Sequence, residues 1–71
     1  MDKAVARQLS KLMLEYAAKL DESVSLVLTN CSQEEVTKYR IAVGKIMGGM
    51  LLDIMNPLYA EHPDLRPPQL K

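Results

Sequence analysis

Three residues near the C-terminus carry the side chains best suited to metal binding. Glu61, His62 and Asp64 offer two carboxylates and an imidazole within four positions. Pro63 interrupts this run, and no second histidine or cysteine stands at ligand spacing. A competent transition-metal site needs three or four convergent ligands. We therefore predict that these side chains are solvated and hold no metal.

Cys31 is the only cysteine and the most nucleophilic side chain of the sequence. Its place just before a helix N-terminus is only a weak indication of a reactive thiol. Catalysis with His62 would also need a third group to orient the imidazole, and none is evident. A single cysteine excludes an internal disulfide and favours a reducing compartment. We predict no catalytic residue, no cofactor and a cytoplasmic protein.

The sequence pattern predicts that helices position these residues. Apolar residues recur at steps of three and four from Val5 to Val27, which predicts a first helix over residues 2–29 with Asp2 as N-cap. The segment 23–29, SVSLVLT, alternates polar and apolar residues and would also suit a strand. A lone strand would lack a partner within the chain. Because the helical spacing continues through this segment, we favour helix.

A turn and a second helix follow. Asn30 is suited to the left-handed conformation that closes a helix. Ser32 and Glu35 have the spacing of a capping box, in which each side chain satisfies a free backbone N–H group. The second helix is predicted over residues 33–55, since Pro57 has no N–H to donate and disfavours helical geometry before it.

After Pro57 the sequence predicts a short turn and then a segment without regular helix. Residues 57–61 suit a short turn that points Leu58 and Tyr59 back at the core. The last ten residues, 62–71, hold three prolines and are expected to be extended, either over the hairpin or free in solvent. The sequence thus divides into a helical hairpin domain, 1–61, and a proline-rich extension. We expect the tyrosine hydroxyl groups to reach water or a carbonyl.

The second helix carries more apolar surface than one neighbouring helix can cover. Its segment 41–55, IAVGKIMGGMLLDIM, contains only two charges, Lys45 and Asp53. A helix that is apolar nearly all round cannot face water. At 71 residues the chain buries only about 60% of its unfolded surface, so association is the expected stabiliser. The small-xxx-small step at Gly44 and Gly48 would let a second helix approach closely. The predicted interface consists of Ile41, Gly44, Gly48, Leu51, Leu52 and Met55.

These patterns predict an all-α fold: an antiparallel two-helix hairpin that pairs with a second copy into a four-helix bundle. Nine basic and nine acidic residues cancel, which argues against nucleic acid as a partner. The N-terminus has no uninterrupted apolar region, so we expect no signal peptide. Residues 41–55 are too few to span a bilayer comfortably, and we expect no membrane insertion.

Three functions remain open from the sequence. The first is a non-catalytic homodimer that acts as an accessory, adaptor or regulatory protein. The second is a heteromeric partner of the co-chaperone, antitoxin-like or immunity type, whose second helix another protein covers. The third is a ligand-binding or enzymatic bundle using Glu34, Asp53 and His62. We disfavour the third, with no small-molecule substrate implied, because Glu34 and Asp53 lie more than about five turns apart on one helix.

Overall fold

The computed structural model describes residues 1–68, and this part of the chain is almost entirely helical. Helix α1 spans Lys3–Asn30 and helix α2 spans Gln33–Gly49. A π-helical segment, Met50–Met55, leads from α2 into helix α3, Asn56–Glu61, and a 3₁₀ turn follows at Pro63–Leu65. Residues 1–68 contain no strand, which confirms the predicted all-α hairpin. Residues 23–29 are helical, as the continuing apolar spacing indicated.

Side chains cap both long helices at their N-termini. The Asp2 carboxylate accepts hydrogen bonds from the first backbone N–H groups of α1. The Ser32 hydroxyl accepts from the Glu35 N–H at 3.3 Å and donates to the Glu35 carboxylate at 3.1 Å. The predicted left-handed Asn30 was wrong, because no non-glycine residue among 1–68 has a positive φ. Asn30 stays helical and its amide donates to the Leu26 carbonyl, while Cys31 turns the chain in an extended conformation.

The predicted boundary at Met55 corresponds to the change from the π segment to helix α3, and the predicted short turn over residues 57–61 lies in α3 with Leu58 and Tyr59 buried. The backbone does not stop at Met55, however. Helical backbone runs through Pro57 as far as Glu61. The π segment makes this continuation feasible: the Asn56 N–H donates to the Leu51 carbonyl, five residues back instead of four. Its wider turn gives the proline ring room that an ideal α-turn, with its carbonyl four residues earlier, does not.

The π segment also changes which face of the helix meets α1. A regular α-helix would continue the inward stripe of Val36 and Val43 to Ile54. The wider turns delay the stripe by one residue, so Met55 points inward at 5% exposure and Ile54 points outward at 43%. Leu58 then follows on the buried side. This shift is the physical reason that Met55 belongs to the core of its own chain.

The core lies at the open end of the hairpin. Ala6 of α1 packs there with the buried residues after the π segment, and partly buried side chains surround them. This cluster comprises Ala6, Met55, Leu58 and Tyr59, with Leu9, Met13, Leu14, Leu51 and Leu65 against it.

Two tyrosine hydroxyl groups bond to serines across the helix pair. Tyr59 is 3% exposed, and its hydroxyl lies 2.5 Å from that of buried Ser10. The Tyr39 hydroxyl donates to the Ser23 hydroxyl at 2.7 Å, and Ser23 donates onward to the Leu20 carbonyl. We expected water or carbonyl partners for these tyrosines. The serines instead satisfy them, which explains how polar side chains fit on the inner side of α1.

The C-terminal segment folds back on α1. The Pro63–Leu65 stretch is a 3₁₀ turn, contrary to the predicted extended conformation, and Leu65 packs against the core. Arg66 has an extended backbone, and residues 69–71 of the predicted extension lie outside the described part of the chain. Lys3 forms an ion pair with Asp64, and the Met1 amino group forms one with Glu61.

The described hairpin is long and thin. Its principal extents are 44 × 18 × 16 Å and its Cα radius of gyration is 14.3 Å. A compact domain of this length would have a radius of gyration of about 11 Å. Most side chains therefore lie close to a surface, and few are shielded on all sides.

Candidate interaction surface

The acidic and imidazole side chains near the C-terminus contact the N-terminal residues of the chain. His62 Nε2 lies 2.9 Å from the Met1 carbonyl oxygen. The Met1 amino group lowers the pKa of the Glu61 carboxyl below its usual value by hydrogen bonding, and Lys3 lowers that of Asp64 in the same way. Among residues 1–68 no three histidine, cysteine, aspartate or glutamate side chains converge as metal ligands.

The three residues of the ligand-binding hypothesis do not meet within one chain. Asp53 and His62 line the same open cavity of about 260 Å³, with Glu61 beside them. Glu34 lies in the first turn of α2, where it contacts Lys38 at 3.5 Å. Cys31 is exposed in the turn between the long helices. The chain thus separates the polar groups that a bundle enzyme would have to assemble.

The six residues predicted as an interface divide into two sets. Ile41 and Leu52 are 56% and 64% exposed, and Gly44 is exposed between them. Leu51 is partly buried against the core and Met55 lies within it at 5% exposure, so their own chain covers most of these two side chains. The exposed members and Gly48 follow one line along the helix, because they recur at three- or four-residue steps. We call Gly44, Gly48 and Leu52 the glycine line.

An apolar groove of about 250 Å³ lies between α1 and α2 beside the glycine line. Leu14 and Ala17 form its α1 wall. Gly48 forms part of the opposite wall, together with Met47, Met50, Leu51 and Met55. The groove is open on one side of the hairpin. Its lining contains no charged side chain, which makes it suited to apolar contacts.

The helical glycines serve no packing need inside the chain. A Cβ atom added at Gly44 or Gly48 would meet nothing within 4 Å, and at Gly49 it would meet only the Asp53 carboxylate at 3.9 Å. Each glycine in a helix interior costs about 0.8 to 1 kcal/mol relative to alanine. Within residues 1–68 no close contact offsets that cost. The sequence pattern singled out Gly44 and Gly48, and the structure adds that a side chain at either position would meet no neighbour within residues 1–68.

A second apolar surface, which the sequence analysis missed, lies on the other side of the hairpin. The Tyr39–Ser23 hydrogen bond places the two lines through these residues next to each other. Exposed Tyr16 lies seven residues before Ser23, and exposed Ile46 lies seven after Tyr39, so each shares its partner's side of the helix. Leu12 is exposed one turn before Tyr16. We call Leu12, Tyr16 and Ile46 the tyrosine face.

No protein-family model, curated protein or solved structure is significantly similar to this chain. The continuous helical stretch Gln33–Glu61 is long and apolar enough to cross a membrane, judged by length and composition only. It owes that length to the helical backbone that continues through Pro57.

Proposed function

We propose that this chain is a non-catalytic protein-interaction module that works as a homodimer, in an accessory, adaptor or regulatory role. The observation that supports this proposal is the size of the chain's accessible surface. The accessible surface is 5178 Å², whereas a compact monomer of 8.0 kDa would expose about 4,450 Å². The excess of about 700 Å² is close to the ~800 Å² that each partner buries in a standard interface.

The composition of that surface supports the same proposal. Ten large apolar side chains among residues 1–68 are at least 40% exposed. Pairing of two hairpins into a four-helix bundle would cover part of this apolar surface without any further element. A soluble monomer rarely leaves a large contiguous apolar patch exposed.

Analytical ultracentrifugation across 1–100 μM, on the order of common interface affinities, tests the proposal. We expect a dimer that dissociates on dilution, with the protein remaining in the aqueous phase when neutral-lipid vesicles are floated. A helical monomer throughout this range would refute homodimerisation. Flotation of the protein with the vesicles would instead assign the Gln33–Glu61 helix to the bilayer.

A heteromeric partner is the second candidate, and the tyrosine face favours it. That face lies opposite the groove, so a homodimer formed through the groove would leave Tyr16 and Ile46 exposed. An amphipathic helix of another protein would fit such a surface. Leu12→Lys and Ile46→Lys test this candidate: they should leave the homodimer intact and abolish co-purification of a partner from the native host. Loss of the homodimer in these variants would place self-association on the tyrosine face.

A further inference from the structure

We infer that the groove side of the hairpin is the self-association surface, and that two copies pack there antiparallel, about a twofold axis passing near Leu14 and Gly48. This inference rests on the proposed homodimer and specifies its interface. Leu14 and Gly48 line the same groove from opposite walls, so they lie at the same level of the hairpin. An axis at that level lets each groove close the other.

The spacing on α1 supplies charge complementarity about this axis. Arg7, Leu14 and Asp21 are seven residues apart, close to two helical turns, and therefore lie along one side of α1. Leu14 shows that this side borders the groove. Since Arg7 and Asp21 are equidistant from Leu14, the antiparallel arrangement brings Arg7 of each copy opposite Asp21 of the other.

Neither charge is paired within the described residues. Arg7 and Asp21 are exposed, and they form no ion pair among residues 1–68. Two symmetric Arg–Asp pairs would flank the apolar centre of the interface, as charged residues commonly do at a polar rim. They would also fix the register of the two copies.

The same axis gives the glycine line a role. Leu52 lies four residues after Gly48, and Gly44 lies four before it. In the antiparallel arrangement, the exposed Leu52 side chain of each copy meets the bare backbone at Gly44 of the other. The space around Gly44 is open within its own chain, so that position can receive the leucine.

Charge reversal with rescue tests the arrangement. Arg7→Asp places two acids face to face twice in the dimer, and Asp21→Arg places two bases there. Each single variant should raise the dimer Kd by about tenfold or more at low ionic strength, and the double variant should restore it to within about threefold of wild type. High salt should shrink the single-variant effects.

Matched controls carry the same charge changes elsewhere on α1. Lys19→Asp and Glu15→Arg alter exposed positions about 140° and about 100° around the helix from Leu14, and they should leave the Kd unchanged. Single reversals without rescue in the double variant would overturn the register. A wild-type chain that never dimerises would overturn both the register and the proposed function. A dimer insensitive to all four reversals would overturn the register alone.

Oxidative cross-linking distinguishes the antiparallel from the parallel arrangement. In the antiparallel dimer the two exposed Cys31 residues lie at opposite ends, each about 25 Å from the axis and therefore about 51 Å from each other. Wild type should therefore not cross-link within the dimer, whereas Leu14→Cys in a Cys31→Ser background should do so readily. Efficient cross-linking through Cys31 and none through position 14 would refute the antiparallel arrangement.

Discussion

Alanine substitution of the helical glycines separates the stability of one hairpin from the stability of its assembly. Within the protomer, a methyl group at Gly44 or Gly48 meets open space, and at Gly49 it meets an ordinary contact. Each Gly→Ala change should stabilise the isolated hairpin by about 0.8 to 1 kcal/mol through helix propensity alone. For a domain of this size that corresponds to a rise in Tm of about 4 to 8 °C.

In the dimer, Gly44→Ala and Gly48→Ala should destabilise the protein, although each change stabilises the isolated hairpin. If Gly44 and Gly48 face the second copy, an added methyl group overpacks the crossing and costs about 1 to 3 kcal/mol at each contact. Gly49 lies about 100° around the helix from Gly48 and serves as the matched control. We therefore expect Gly49→Ala to raise the Tm at every concentration, and Gly44→Ala and Gly48→Ala to lower it where wild type is dimeric.

The assay is thermal unfolding followed by circular dichroism at two protein concentrations, one above and one below the wild-type dimer Kd. Below the Kd all three variants should be more stable than wild type. If Gly44→Ala and Gly48→Ala stabilise the protein as much as Gly49→Ala above the Kd, close approach of a second copy at these glycines is refuted, whatever the oligomeric state.

Three further predictions concern the protomer. Tyr59→Phe should cost about 1 to 3 kcal/mol in urea unfolding, because it leaves the buried Ser10 hydroxyl unpaired; adding Ser10→Ala should recover most of the loss, and strict additivity would contradict the pairing. Met55→Ala should cost about 2 to 5 kcal/mol and Ile54→Ala much less, and the reverse order would refute the π segment. The pKa of the Asp64 carboxyl is lowered below its ordinary 3.8, so its ion pair stabilises the fold above that pH and is lost on acidification below it; Asp64→Asn should remove this part of the acid sensitivity, and an unchanged pH profile would contradict it.

The sequence was sufficient for the hairpin because its signals are local. Helix periodicity, the Asp2 cap and the Ser32 cap each depend on residues within a turn of one another. The effect of Pro57 was not predictable in the same way. A proline usually ends a helix, and the π segment that carries the backbone past it has no strong sequence signature.

The burial of the six predicted interface residues could be anticipated only in part. Ile41, Gly44, Gly48 and Leu52 precede the π segment or lie within its first turn, so regular helical spacing is enough to put them on one line along the helix. Met55 follows a full wide turn and arrives on the buried side that faces α1. The tyrosine face escaped notice because it combines residues from both helices, and only the contact between Tyr39 and Ser23 shows that they are neighbours.

The two tyrosine–serine hydrogen bonds fix how the helices of this thin hairpin align along their length, which apolar side chains alone do not. Apolar packing tolerates sliding, because one methyl group substitutes for another, whereas a hydroxyl group accepts few partners at few positions. If one helix shifted along the other by a single turn, the hydroxyl groups of Tyr39 and Tyr59 would both lose their serine partners. Two hydrogen bonds, one near each end of the hairpin, therefore fix the register of its helices. A partner would bind a surface whose two helices keep one relative position.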